Sequence, residues 1–413
     1  MSTLEHYLAN YAEPEIAKLD DFMAVYEQCL LIPAYKEPVE NISYFLSFLE
    51  SQRNCLLIFV INQTDKHKDT QWAEDLLPLM SNIEWRSNCK QLQLSNHRHG
   101  NAILWVDRCL TGQLIPAKQG VGLARKIAND IATALHHRGQ IKSPWLFNTD
   151  ADARLPNDYF SAFDPNIKGI AAHLFPFTHT IGNTSKVNAA TQLYELSLNY
   201  YVEALGWANS PYAYHSLGSI IAVHTNFYAA VRGFPKRPAG EDFYLLNKLA
   251  KTASIARLST LPIQLMSRDS DRVPFGTGPA VMRIATTNRL NETPFYDPNI
   301  FVQLKYFLKQ ITLCLQEEYL DSAERALIKA CSNSQIQAAE NTGVWSTLKH
   351  CYQQGKTAEK RLQHFHQGFD AFKTLKFVHQ LRNTNYPMIP YQIWLKAIEN
   401  SPYRKNLSII KVQ

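Results

Sequence analysis

The feature that most constrains this fold is a pair of unbroken apolar runs, CLLIPAY (29–35) and CLLIFVIN (55–62). Each has the length of a strand and shows no polar alternation. Between them Pro38 opens an amphipathic stretch with Ile42, Phe45, Leu46 and Leu49 at helical spacing. A strand without alternation is buried on both faces, which occurs chiefly where helices cover a parallel sheet. The pattern continues along the chain. ILWVDR (103–108) and PWLFNTD (144–150) read as strands. WAEDLLPLM (72–80), VGLARKIANDIATALHHRG (121–139), NAATQLYELSLNYYVEALGW (188–207) and GEDFYLLNKLAK (240–251) read as helices. The expectation is an α/β domain with a mostly parallel sheet and helices on both faces.

Beyond residue 300 only helical patterns remain. Apolar positions 304, 307, 308, 311 and 315 define one helix face, and Asp321 to Glu324 resemble a capping signal. Further helices are expected over 344–353, 357–382 and 391–398. The chain thus divides into an N-terminal lead-in (1–26), an α/β domain (27–285) and a C-terminal helical appendage (300–413). Charge follows this division. Residues 1–280 hold 25 Lys+Arg and 26 Asp+Glu, net −1, and residues 281–413 hold 17 and 10, net +7. A total of +6 is too small to argue for a nucleic-acid partner. Lys373, Lys376, Arg382, Lys396, Arg404, Lys405 and Lys411 concentrate the excess near the end. A solvated helix surface accounts for it; the sharper reading is peripheral contact with an anionic membrane. Seven scattered cysteines without CxxC spacing argue against a zinc site or a disulfide framework. They fit a reducing, cytoplasmic setting, with the inner face of a membrane as the place of any peripheral contact. The polar, acidic first residues show no signal-peptide pattern, and no run approaches the length of a spanning helix.

Four constellations carry chemistry. Asn148-Thr-Asp150-Ala-Asp152 follows an apolar strand, and ligands of parallel sheets bind beyond the strands' carboxyl ends. Two carboxylates one residue apart there suit a hard divalent cation, Mg²⁺ or Mn²⁺, shared with substrate phosphates. Gly240-Glu241-Asp242 opens a helix, where the dipole favours acids and where a carboxylate can act as a general base. Lys118-Gln-Gly120-Val-Gly122-Leu-Ala-Arg125 sets glycines before a helix, offering N–H groups and positive charge to an anion. Ser267 to Gly278, with Arg268, Asp269, Asp271 and Arg272, reads as a charged loop able to close over a phosphorylated ligand. The histidines form no metal pattern, and the tyrosines and tryptophan between 194 and 214 fit core packing better than sugar stacking.

In this order LLIPAYKE, INQTD, GVGLARK, NTDAD and GEDFYLL resemble a family 2-type glycosyltransferase of the GT-A fold over about residues 27–280. The resemblance implies a Rossmann-like nucleotide-diphospho-sugar-binding domain, a divalent cation (Mn²⁺ or Mg²⁺) and sugar transfer to an acceptor hydroxyl. It places Pro33, Ala34, Tyr35 and Glu37 at the nucleoside end, with Asn62 where the family has an Asp on the base. It assigns Lys118 and Arg125 to the donor, Asp150 and Asp152 to the metal (Asp150 also to the donor), and Asp242, beside Glu241, to the catalytic base of an inverting reaction. The family commonly adds a diphosphate or metal contact, often a His, from a C-terminal loop; the 267–278 loop has no His, and Arg268, Arg272, Asp269 or Asp271 is the expected substitute. The same order also resembles retaining enzymes that make mannosylglycerate. A nucleotidyltransferase and a non-catalytic nucleotide-sugar-binding module are the remaining alternatives. The acceptor is open.

Overall fold

The computed structural model describes residues 1–66, 70–109, 113–180, 184–266, 276–287 and 289–409. Its strands are β1 (Gln28–Ala34), β2 (Cys55–Asn62), β3 (Ile83–Arg86), β4 (Leu92–Asn96), β5 (Ala102–Arg108), β6 (Trp145–Asn148), β7 (Ala153–Arg154), β8 (Ile170–Leu174), β9 (Phe177–His179), β10 (Ile221–His224), β11 (Ser254–Arg257), β12 (Ile263–Leu265), β13 (Pro294–Phe295) and β14 (Ile389–Pro390). The helices up to residue 249 are α1 (Thr3–Asn10), α2 (Val39–Glu50), α3 (Gln71–Glu74), α4 (Gly120–His137), α5 (Ser185–Trp207), α6 (Thr225–Ala230) and α7 (Glu241–Leu249). After them come α8 (Thr277–Thr286), α9 (Pro298–Cys314), α10 (Leu320–Ala330), α11 (Asn333–Asn341), α12 (Val344–Gln354), α13 (Ala358–Gly368), α14 (Ala371–Thr384) and α15 (Tyr391–Ala397).

Nine strands form the central sheet in the order β11-β8-β10-β6-β1-β2-β5-β4-β3. The block β6-β1-β2-β5 is parallel, and β1 and β2 are buried along nearly their whole length, as their unbroken apolar runs require. The sheet as a whole is mixed, not mostly parallel. β10 runs antiparallel to β6 and β8, and β4 runs antiparallel to β5 and β3. β3, β4 and β5 follow one another by short connections that need no crossover helix, so this edge leaves no βαβ rhythm in the sequence.

The chain forms two compact units: residues 1–181 with 216–276, and residues 182–215 with 277–413. Helix α5, from the middle of the stretch read as α/β domain, therefore counts with the C-terminal helices. Its Leu193, Leu196, Tyr200 and Ala204 share one apolar core with Phe301, Leu304, Phe307 and Trp394. Tyr200 meets the Phe301 and Trp394 rings edge-on at 5.4 and 5.0 Å, so this part of the tyrosine-rich stretch is core. Two details of the helical unit differ from expectation. The 357–382 segment is two helices, because Asp370 caps a new one by accepting from the Lys373 N–H. Asp321 lies in the first turn of α10, after the cap residue Tyr319, and does not cap it. Among the described residues no helix is long and apolar enough to cross a membrane. Lys411 lies outside the described residues.

The organising element of the first unit is α4, which packs on β1 and β2 and is buried on nearly every side from Gly120 to Leu135. A helix buried all round is ordinarily apolar. This one carries Arg125, Lys126, Asn129 and Asp130, each 4% exposed or less. A buried charge persists only with partners. Asp130 accepts from the Tyr7 hydroxyl (2.5 Å), the Tyr228 hydroxyl (2.8 Å), Lys126 Nζ (2.9 Å) and the Glu13 N–H (2.8 Å). The first residues of the chain are thereby bound into the α/β unit through α1 and the turn after it.

Candidate functional site

Two glycines bring the site together. A Cβ on Gly122 would lie 2.4 Å from the Pro235 carbonyl oxygen, and one on Gly120 2.6 Å from the Pro238 Cα. The Gly122 N–H donates to the Arg237 carbonyl at 2.9 Å and the Gly120 N–H to Pro116 at 3.1 Å. Their N–H groups are thus spent on the protein, and the anion cradle read from GVG is not what these glycines form. They let the 235–238 segment lie against the start of α4, and that segment leads straight into α7. Gly240 makes the turn with φ +72°, a conformation that costs glycine little.

One turn into α4, Arg125 meets the beginning of α7. Its Nε donates to Glu241 Oε1 at 3.0 Å and its Nη2 to Asp150 Oδ1 at 2.5 Å. The guanidinium is 3% exposed and lies so close to Gly218 that a Cβ there would fall 2.3 Å from Nη2. Nη1 is buried without a hydrogen-bond partner. Next on the same helix, Asn129 exchanges amide hydrogen bonds with Asn148 (2.7 and 3.1 Å). Thr149 extends the β1 pairing by donating to Leu31 (3.1 Å), and the Ala153 N–H closes the acidic turn on the Asp150 carbonyl (3.1 Å). The NTDAD segment therefore leaves the carboxyl end of β6 in a fixed direction.

Burial opposes the charge on Arg125, but Asp150, then Glu241 and Asp242, outweigh it and hold the guanidinium more firmly protonated than usual. Burial raises Glu241 above the usual carboxylate range despite Arg125. Asp242 is half-buried, and its Oδ1 accepts from the Phe243 N–H at 2.7 Å. Burial first and the neighbouring Glu241 second push its carboxyl up to about 7. Two adjacent acids thus differ in role. Glu241 is neutralised by a guanidinium, while Asp242 changes charge near neutral pH, where a proton acceptor works best.

No family model and no curated protein matches this sequence. The site therefore has to be read from its own geometry. The structure brings Asp150, Glu241, Asp242 and Arg125 together. Lys118 is exposed in the loop before α4. Pro33 and Ala34 are buried at the end of β1 and Tyr35 is half-buried, its ring edge-on to Trp72 at 6.4 Å. Asn62 is 3% exposed at the end of β2. With its amide nitrogen toward the Ala34 and Val60 carbonyls (3.1 and 3.2 Å), both ends of the amide are satisfied within the protein. Glu37 accepts from Asn41 Nδ2 at 2.9 Å. Arg268, Asp269, Asp271 and Arg272 lie outside the described residues.

Among the described residues, no group of three or more His, Cys, Asp or Glu side chains is placed to hold a metal ion. The donor set at the acidic turn is two carboxylates, Asp150 and Asp152. Asp150 keeps 39% of its side chain exposed while one oxygen rests on Arg125. Such a set fits a hard cation whose remaining ligands are substrate oxygens, not an all-protein cage.

Asn129 and Gly218 escape a reading by motif, and Asn148, though part of NTDAD, gives no sign there of its pairing with Asn129. Asn129 and Arg125 sit four apart on one helix face with Lys126 and Asp130 beside them, a pattern that also describes a solvated stripe. Gly218→Ala is expected to displace the guanidinium and lower stability by about 1–3 kcal/mol, as overpacking does. Urea unfolding of the variant against the parent checks this.

Proposed function

We propose that the α/β unit is a metal-dependent glycosyltransferase of the family 2-type GT-A class, moving a sugar from a nucleotide-diphospho-sugar to an acceptor hydroxyl with inversion. The observation that carries the reading is the junction at Arg125. It joins the acidic turn after β6, where a donor diphosphate would lie, to the α7 acids, where an acceptor would be deprotonated. The parallel block β6-β1-β2-β5 supports it, because its carboxyl ends are where such a sheet binds ligands.

In this reading Asp150 and Asp152 hold Mn²⁺ or Mg²⁺. Bound there, the cation supplies Lewis acidity for the negative charge that grows on the departing diphosphate. Asp242 takes the proton from the acceptor hydroxyl as it attacks the anomeric carbon. Glu241 stays paired with Arg125 and keeps the start of α7 in place. Pro33, Ala34, Tyr35 and Asn62 line the nucleoside end, and Lys118 adds positive charge beside the donor. The basic helical unit is the part suited to touch an anionic membrane.

A panel of nucleotide-diphospho-sugars, each with MnCl₂ or MgCl₂, tests the reading by melting temperature and by nucleoside diphosphate release. At least one donor should raise Tm and be turned over. If none shifts Tm with either metal, the reading is wrong.

A further inference from the structure

A second set of contacts reaches the acidic turn from α2. Asn41 and Tyr44 are three positions apart on this helix and share a face. Asn41, 4% exposed, donates from Nδ2 to Glu37 Oε2 (2.9 Å) and accepts on Oδ1 from Arg154 Nη2 (3.0 Å). The Arg154 guanidinium lies over the Tyr44 ring at 4.3 Å, and its Nη1 donates to the Ala153 carbonyl at 3.1 Å. The Tyr44 hydroxyl accepts from the Leu155 N–H (2.7 Å) and donates to the Leu155 carbonyl (3.3 Å). Ala153 and Arg154 also form β7, paired with Leu265 and Gln264 of β12. Every residue from 153 to 155 is therefore held, and these three directly follow Asp152.

We infer that Asn41, Tyr44 and Arg154 are positioning residues that fix the two carboxylate arms, Asp150 and Asp152, for a divalent cation, with Glu37 as the anchor of Asn41. The inference rests on the reading of those aspartates as cation ligands. A site with two protein ligands has no third arm to correct a wrong spacing, so its affinity depends on how rigidly the turn is held. Asn148 on Asn129 and Thr149 on Leu31 hold the turn where it leaves β6. The α2 contacts hold it where it returns. Partners that orient metal-binding carboxylates in this way typically change affinity when altered.

The probe is Mn²⁺ added to the full chain, with and without inorganic pyrophosphate, read from the electron paramagnetic resonance signal of the free ion. Melting temperature is measured on the same samples. Tyr44→Phe keeps the ring under Arg154 and removes only the hydroxyl; Arg154→Lys keeps the charge and removes the planar fork. Each is expected to weaken Mn²⁺ binding about tenfold in the folded protein, and Asp152→Asn to abolish it. A role confined to stability would lower Tm and leave the affinity of folded molecules unchanged. If both α2-contact variants bind like the parent while Asp152→Asn does not bind, the positioning role is overturned and the cation reading stands. If the parent binds no Mn²⁺, or Asp152→Asn binds as the parent does, both fall. Should Tyr44→Phe not fold, Arg154→Lys decides alone.

Discussion

Asp242→Asn is expected to cut sugar transfer by about 10²–10⁴-fold while making the folded protein more stable at pH 8. The first effect follows from removing a general base, whose contribution is ordinarily of that size. The second follows from linkage. The carboxyl is raised from 3.8 to about 7 in the folded chain, by burial and then by Glu241. Between pH 4 and 7 the unfolded chain has released this proton and the folded chain still holds it. Stability therefore falls as pH rises through that window, and above pH 7 the full penalty of a buried charge persists, of the order of a few kcal/mol. Asparagine keeps an oxygen for the Phe243 N–H and carries no charge, so its Tm advantage should be present at pH 8 and absent at pH 4. Transfer by the parent should rise with pH through about 7 as Asp242 ionises. Calorimetry at the two pH values and a pH–rate profile separate the cases. An Asp242→Asn variant that retains parental turnover would remove Asp242 from the chemistry, whatever the stability result.

The parts of the fold that were legible in the sequence are those buried on both faces. CLLIFVIN forms β2 over the residues its apolar run spans, because a central strand has no solvent side on which to place polar residues. The sheet's β3–β4 edge was not legible. IEWR and LQLSN are short and partly exposed, so their sequences mix polar and apolar residues as loops do. α4 shows a different limit. Its polar residues 125, 126, 129 and 130 line one face, and helical periodicity cannot tell a solvated face from a buried one whose partners are supplied from elsewhere. Those of Arg125 stand 25 and 116 positions along the chain. The order of the motifs pointed to the residues that gather at the site. The pairing that joins them depends on two glycines whose apparent purpose, an anion cradle, was a different one.

Arg125→Met should be among the most destabilising single substitutions in the chain, costing about 3–5 kcal/mol, the usual result of breaking a buried pair from one side. Glu241, 4% exposed, would lose the group that offsets its burial, and Asp150 would lose its 2.5 Å partner. Arg125→Lys should fall between parent and Met. A single ammonium cannot spread over two carboxylates that are now reached by Nε and Nη2 of one planar group. The informative variant is the double one. In Arg125→Met with Glu241→Leu the buried carboxylate is removed along with its partner, and replacement of both members of a buried pair by apolar groups is commonly close to neutral. The double variant should therefore be more stable than Arg125→Met alone, and the cycle completed with Glu241→Leu should give an interaction energy of about 1–3 kcal/mol in urea unfolding. Strict additivity would mean that Arg125 and Glu241 are neighbours without being coupled. Recovery of stability without recovery of transfer would separate the two duties of this guanidinium, which neutralises the start of α7 and also ties it to the acidic turn.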